Sequence, residues 1–261
     1  MGKMAKRLGK REQKRLEKMT EEAKRRGGVS ASLFLESEMN VFEDAGCFFF
    51  SGKRRRPDGL LTVFFPDEGH AELTVAEYVP GKGNLKELFC RALRECKRVD
   101  VDNVHTVRNP ACGFCLDALE GIRFTYSWSE YMLSSEMANL AREAKQPEEG
   151  IKIEKEPAPE NDGTICYRLL QNDRETAECR ILSAGDGTQH YLFGLKTKEE
   201  YRRKGMATAL LTGIAKEYEK QEGAVLRLQV SSQNTAAYNL YQRLGFSVEE
   251  EREYYKTEEI V

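Results

Sequence analysis

The 261-residue sequence has no apolar run approaching the roughly 20 residues that a membrane-crossing helix needs. Its first residues also lack the apolar core of a secretory leader. Charge is nearly balanced, 41 Lys and Arg against 43 Asp and Glu, for a net charge of −2. That balance gives no global reason to expect nucleic acid or an acidic membrane as partner. Seven cysteines without regular spacing do not form a disulfide framework and fit a reducing compartment. Residues 112–115, CGFC, lack a second Cys-x-x-Cys or a His pair to complete four ligands, so zinc is not expected. Cys112 and Cys115 read as buried thiols, as do Cys90 and Cys96 on the apolar side of a helix pattern. The expectation is a soluble cytoplasmic protein without a metal.

What the chain does have is concentrated in residues 201–211, YRRKGMATALL. They follow an apolar strand, His190–Thr197, and open a helix whose Leu210, Leu211, Ile214 and Tyr218 share one face. A helix start presents unpaired N–H groups and partial positive charge, which suits phosphate oxygens. Gly205 permits close backbone approach, and Arg202, Arg203 and Lys204 bring cations to the same place. The small residues Ala207, Thr208 and Ala209 leave room in the first turn.

The pattern Arg202-x-x-Gly205-x-Ala207 resembles the acyl-CoA signature of the GNAT acetyltransferase superfamily. Residues 234–246, NTAAYNLYQRLGF, look like that family's second motif. The resemblance covers about the last hundred residues. It implies an acyl-CoA, with acetyl-CoA as co-substrate, lying where two parallel strands splay, here His190–Thr197 and Leu226–Val230. It also implies that the backbone of Leu195 and Thr197 holds the acetyl carbonyl and the pantetheine amides. Residues Arg202, Arg203, Lys204, Gly205, Met206, Ala207 and Thr208 would then hold the pyrophosphate. Asn234 would cap its helix or bond the pantetheine, and Tyr241 would be the general acid. Tyr241 also shares a face with Ala237 and Leu244, so packing is the alternative role for it. Glu178, Glu199, Glu200, His190 and Ser232 all remain open as general base.

Taken in order, residues 1–28 form a basic segment, with eleven Lys or Arg against four Glu up to residue 26. Met4, Leu8, Leu16 and Met19 are too sparse for a core face, so a solvated helix ending near Gly27 and Gly28 is expected. Its alternative role is an arm touching RNA, ribosomes or acidic lipid. Residues 29–144 read as a first globular domain. It has strands at Cys47–Phe50, Leu60–Phe65 and Ala71–Ala76, a turn at Arg54–Gly59, and a helix after Asn84. The helix pattern carries Leu85, Leu88, Phe89, Ala92, Leu93 and Cys96 on one face. Residues 145–162, rich in Pro, Glu and Lys, read as a linker in which Ile151 and Ile153 can start a strand. Residues 163–261 form the catalytic domain, with strands at Thr164–Leu170, Thr176–Leu182, His190–Thr197, Leu226–Val230 and Phe246–Val248.

The first domain looks like a second copy of the last. Adding 124 maps Gly81 to Gly205, Gly83 to Ala207, Gly121 to Gly245 and Tyr131 to Tyr255, with Asn109 one residue off Asn234. In that register Tyr78 replaces Arg202, Pro80 replaces Lys204 and Asp117 replaces Tyr241, so the copy is degenerate. The expected architecture is α/β: two GNAT-like, mixed-sheet domains in tandem. The implied activity is an N-acetyltransferase moving acetyl from acetyl-CoA to a primary amine on a small molecule or peptide. A longer acyl-CoA donor, or a non-catalytic acyl-CoA sensor, is the alternative. No membrane or nucleic-acid partner is expected. The state is either a monomer with pseudo-dimeric halves or a homodimer.

Overall fold

The structure is a computed structural model and describes residues 3–35, 41–117, 119–143, 150–159, 163–184 and 187–259. In chain order come β1 (Lys3–Ala5), α1 (Lys10–Lys24), β2 (Phe48–Lys53), β3 (Arg56–Asp67), β4 (His70–Glu77) and α2 (Leu85–Arg98). Then follow β5 (Asn103–Arg108), β6 (Ile122–Glu136), α3 (Met137–Arg142), β7 (Ile151–Pro157), β8 (Thr164–Gln171) and β9 (Arg174–Ala184). The last elements are β10 (Gln189–Thr197), α4 (Met206–Tyr218), β11 (Val225–Ser231), α5 (Thr235–Arg243) and β12 (Ser247–Glu259). Short 3-10 turns occupy Pro110–Cys112 and Glu199–Tyr201.

The chain forms two compact units: Met1–Ser129 together with Glu251–Val261, and Glu130–Glu250. The second is one continuous stretch, and the first is completed by the segment that follows it.

In the first unit the strand order is β1-β2-β3-β4-β5-β12, β12 contributing its residues from Glu251 onward. The β1 to β4 run is antiparallel, β4 and β5 are parallel across α2, and β12 is antiparallel to β5. Phe48, Phe49, Phe50, Phe65 and Phe89 are fully buried and dominate its core. The basic N-terminal helix is not the solvated element expected from its composition. Leu16, Thr20 and Ala23 are buried at a three-to-four spacing, which seats α1 on the core. Small and polar positions completed a face that counting large apolar residues missed. Arg54 adds a bidentate pair to Glu12, at 2.8 and 2.7 Å, which ties the β2–β3 turn to α1. That turn is tighter than the expected Arg54–Gly59, because β3 already starts at Arg56 and a bulge at Ser51 and Gly52 takes up the bend.

In the second unit the order is β6-β11-β10-β9-β8-β7, antiparallel except for β10 and β11, which α4 connects in parallel. Strand β7 lies in the segment read as a linker and pairs with β8 from Ile151↔Gln171 to Pro157↔Ile165. Positions 145–149 and 160–162 of that segment lie outside the described residues. The buried face of α4 is Met206, Leu210, Leu211, Ile214 and Ala215, packed with Tyr167, Leu169 and Leu226.

Each unit is therefore an antiparallel run followed by a helix and a parallel strand, the mixed α/β architecture read from the sequence. Conformation corrects the register of the repeat, however. Asn84 precedes α2 with φ +45° and Gly205 precedes α4 with φ +80°, both left-handed and 121 positions apart rather than 124. Asn109 and Asn234 do correspond in role. Each side-chain oxygen accepts from the N–H near the start of the next turn, Ala111 or Ala237. Strand β12 also runs far beyond the expected Phe246–Val248. Of the thiols read as buried, Cys112, at the end of the 3-10 turn, and Cys96 are buried, but Cys90 is half-buried and Cys115 is exposed.

Burial has a consequence at high pH. It pushes the thiols of Cys96 and Cys179 and the phenols of Tyr78 and Tyr241 up to about 12, and the Cys47 thiol to about 11. Unfolded, these groups lose their protons near the ordinary values of 9.0 and 10.0. Above about pH 9 the unfolded chain thus binds fewer protons than the folded one, and stability falls as pH rises toward about 12. Denaturant midpoints measured from pH 8 to 11 should decline steadily above pH 9. A flat profile would contradict this burial.

Candidate active site

Strands β10 and β11 pair in parallel from Gln189↔Val225 to Leu192↔Leu228. Beyond that point β10 continues to Thr197 and β11 to Ser231, with no further register between them among the described residues. On its other edge β10 carries a bulge. Phe193 faces Arg180 but Lys196 faces Glu178, so one extra residue is accommodated, with Gly194 at φ +64°. The two strands therefore part where Leu195 and Thr197 lie. Parted strands leave backbone donors and acceptors to be satisfied by something else.

The cleft at this parting is about 1100 Å³ and lies wholly within the second unit. Leu195, Thr197, Arg202, Arg203, Gly205, Met206, Ala207, Thr208, Asn234 and Tyr241 all line it, so the structure brings these sequence-selected residues together. Lys204 is the exception. It lines none of the cleft, and its Nζ lies 5.5 Å from the ring centre of Tyr201.

One wall is the start of α4. Gly205 is its left-handed cap, and no side chain caps the first turn. Arg203 before it is also left-handed, φ +59°, a costly state for a residue with a Cβ. Arg202 donates through Nε to the Thr197 carbonyl at 3.3 Å, which fixes the loop against the end of β10. Lys196 and Arg243 add cations to the lining, and no carboxylate lines the cleft among the described residues. A helix start, an open ladder and several cations form a cradle that fits an extended polyanionic ligand.

The opposite wall is α5. Asn234 caps it, accepting from the Ala237 N–H at 3.2 Å. Tyr241 is buried against Phe246, with ring centres 5.4 Å apart, while still lining the cleft. Burial holds its phenol at about 12, so it keeps its proton at neutral pH.

The general-base candidates fare differently. Glu178, Glu199, Glu200, His190 and Ser232 do not line the cleft. His190 is 1% exposed, sits in the paired end of β10, and its Nδ1 lies 2.9 Å from the Ser183 hydroxyl. Burial also pulls its pKa below the ordinary value. Sequence reading missed Gln229 and Ser231, which do line the cleft. The period-two alternation of β11 carried the signal, since both fall on the face opposite buried Leu226, Leu228 and Val230.

The profile of the Acetyltransferase (GNAT) family matches residues 122–246. Over those residues, just under half of the chain, the sequence is similar to the GNAT family. The [Ribosomal protein bS18]-alanine N-acetyltransferase of Escherichia coli K12 is 39% identical over 92 residues, 35% of this chain and 61% of that enzyme. The match thus spans less than two thirds of the relative. Among solved structures, the tandem GNAT protein from the clavulanic acid biosynthesis pathway superposes with a TM-score of 0.61 at 12% identity, covering 82% of each chain. A GCN5-related N-acetyltransferase from Sphaerobacter thermophilus gives 0.59 at 13% identity, covering 88% of this chain and 82% of that one. At such identities these two likenesses concern the fold alone.

Proposed function

We propose that the chain is an acetyl-CoA-dependent N-acetyltransferase acting on a primary amine, with its reaction in the cleft of the second unit. The observation that carries this reading is the opening between β10 and β11 beside the cation-lined, uncapped start of α4. The pyrophosphate would rest on the N–H groups of Gly205 through Thr208, with Arg202 and Arg203 alongside. Backbone groups of Leu195 and Thr197 would hold the pantetheine arm as an added strand and polarise the thioester carbonyl.

The amine nitrogen forms a bond to the carbonyl carbon, the carbon–sulfur bond breaks, and the amine proton leaves to solvent. The departing sulfur needs a proton or a donor. Tyr241 supplies it, as a buried phenol that stays protonated. At about 12 it is a weaker acid than a free thiol, so its main contribution is a hydrogen bond to the developing thiolate. The Escherichia coli relative is named for an alanine of a ribosomal protein. A peptide α-amine is therefore the acceptor to try first, with small amines next. Its ordinary pKa near 8 leaves a useful neutral fraction without a carboxylate base in the cleft.

Release of free thiol should be followed with acetyl-CoA and a panel of peptides and small amines. Tyr241→Phe keeps the packing on Phe246 and should lower kcat roughly 10- to 100-fold, with acetyl-CoA affinity changed little. A fall in melting temperature with kcat unchanged would make Tyr241 a packing residue. Acetyl-CoA binding without turnover on any amine would leave an acyl-CoA-binding protein instead.

A further inference from the structure

The first unit has the same parallel pair but not the same opening. Its register runs from His70↔Asn103 to Leu73↔Thr106, after which β4 continues to Glu77 and β5 to Arg108. Here the gap is filled. The segment Gly28–Ala31, which follows α1, hydrogen-bonds to β4 and to the residue that follows β5. The Glu77 N–H donates to the Gly28 carbonyl at 2.7 Å, and the Ser30 N–H donates to the Val75 carbonyl at 2.9 Å. The Val75 N–H donates to the Ser30 hydroxyl at 3.0 Å. Across the gap, the Asn109 N–H donates to the Ser30 carbonyl at 2.5 Å. Val29 bridges antiparallel to Ala76, and Val29, Ser30 and Ala31 are at most 1% exposed. The groups that splayed strands leave open are satisfied by the chain itself.

The loop before α2 is filled as well, by an independent contact. Oε1 of Glu77 accepts from the N–H of Gly81 at 3.0 Å and of Gly83 at 3.3 Å. An internal carboxylate thus sits on glycine amides of the kind that hold a phosphate elsewhere. The fit is close and anchored. A Cβ on Gly28 would lie 2.7 Å from the Glu77 carbonyl oxygen, so no side chain is tolerated there. Helix α1 holds the segment from behind: the Gly28 N–H donates to the Ala23 carbonyl, Arg26 donates to the Tyr78 carbonyl at 3.0 Å, and Thr20 shares a hydrogen bond with the Tyr78 hydroxyl at 3.2 Å.

We infer that the first unit's cleft is a peptide slot whose ligand is the chain's own Gly28–Ala31 segment, with Glu77 in place of a phosphate. The chain then takes one acyl-CoA, in the second unit alone. The basic N-terminal helix is the anchor of this internal ligand. The stoichiometry rests on the reading of the second cleft given above; the occupancy of the first does not.

Two measurements on the full chain separate these points. Titration calorimetry with acetyl-CoA should give one site per chain, lost by at least about 100-fold in Arg202→Glu. Amide exchange read residue by residue should show Ser30, Glu77 and Asn109 at least roughly 100-fold slower than an unstructured peptide, unchanged by acetyl-CoA. A site that persists in Arg202→Glu, with altered exchange at those three amides on adding acetyl-CoA, would overturn the inference. Exchange at loop-like rates in the ligand-free protein would overturn it too. Slow exchange at these amides with no binding at all would uphold the filled slot and sink the acetyltransferase reading instead.

Discussion

Gly205→Glu is expected to weaken acetyl-CoA binding at least about 100-fold, close to 3 kcal/mol, while Gly205→Ala stays within roughly tenfold of the wild type. The pair is informative because the two variants share one cost and differ in another. Gly205 has φ +80°, so any L-residue there adopts a left-handed state at about 1–2 kcal/mol. Space is not the problem, since a Cβ at this position would meet nothing within 4 Å. Both variants should therefore melt somewhat lower and both should fold. Only glutamate places a negative charge at an uncapped helix start beside Arg202 and Arg203, where the pyrophosphate would lie. Calorimetry and thermal melts on the same preparations would check this. Equal affinity in the two variants would mean that the α4 start does not hold the phosphates.

Dividing the chain between residues 149 and 150 should leave neither half able to fold alone. The cut falls in the segment whose composition reads as a linker, yet each unit is completed by residues from the other side of it. The second unit needs Glu130–Glu136 of β6, which covers β11 along its whole length from Val225↔Glu136 to Ser231↔Glu130. It also needs Met137 and Leu140 of α3, both 0% exposed in its core. The first unit needs β12, which pairs with β5 from His105↔Lys256 to Arg108↔Glu253. There Thr257 shares a buried hydrogen bond of 2.7 Å with Thr106, and Tyr254 stacks on Trp128 with ring centres 4.7 Å apart. Without them a central strand becomes an exposed edge, which favours aggregation over folding. Fragments 1–149 and 150–261, made separately, should show no cooperative melt. Mixing them from denaturant should restore one. Two independently melting fragments would show that the units close by themselves.

The helix-start end of the cleft was legible because it is local. Arg202, Gly205, Ala207 and Thr208 lie within one loop and one helical turn, so their spacing already dictates what they can surround. Asn234 and its cap were readable for the same reason. Gln229 and Ser231 were harder to single out. Their strand alternates visibly, but whether the polar face meets solvent or a cleft depends on where β10 stops pairing with β11, and that follows from a bulge at Gly194 and Leu195. The five candidate bases, three Glu, a His and a Ser, were selected by side-chain chemistry alone, and none of them lines the cleft.

The N-terminal segment shows the same divide from the other side. Its charge and its sparse large apolar residues describe the exposed face of α1 correctly, since Lys10, Arg11, Lys14 and Lys18 point to water. The opposite face is made by Leu16 with Thr20 and Ala23, and the last two, polar or small, carry little signal in composition.

By itself, then, the sequence determined a mixed α/β chain of two related units with an anion-suited helix start in the second. Short-range rules suffice for that: period-two strands, amphipathic helices and a glycine held left-handed before a helix. The tertiary structure alone decided which strands close each unit and that the first cleft is occupied by Gly28–Ala31. Strand pairing is made by backbone groups that every residue carries, and its partners are distant in sequence. No side-chain pattern therefore names Ser30 as the neighbour of Val75 and Asn109.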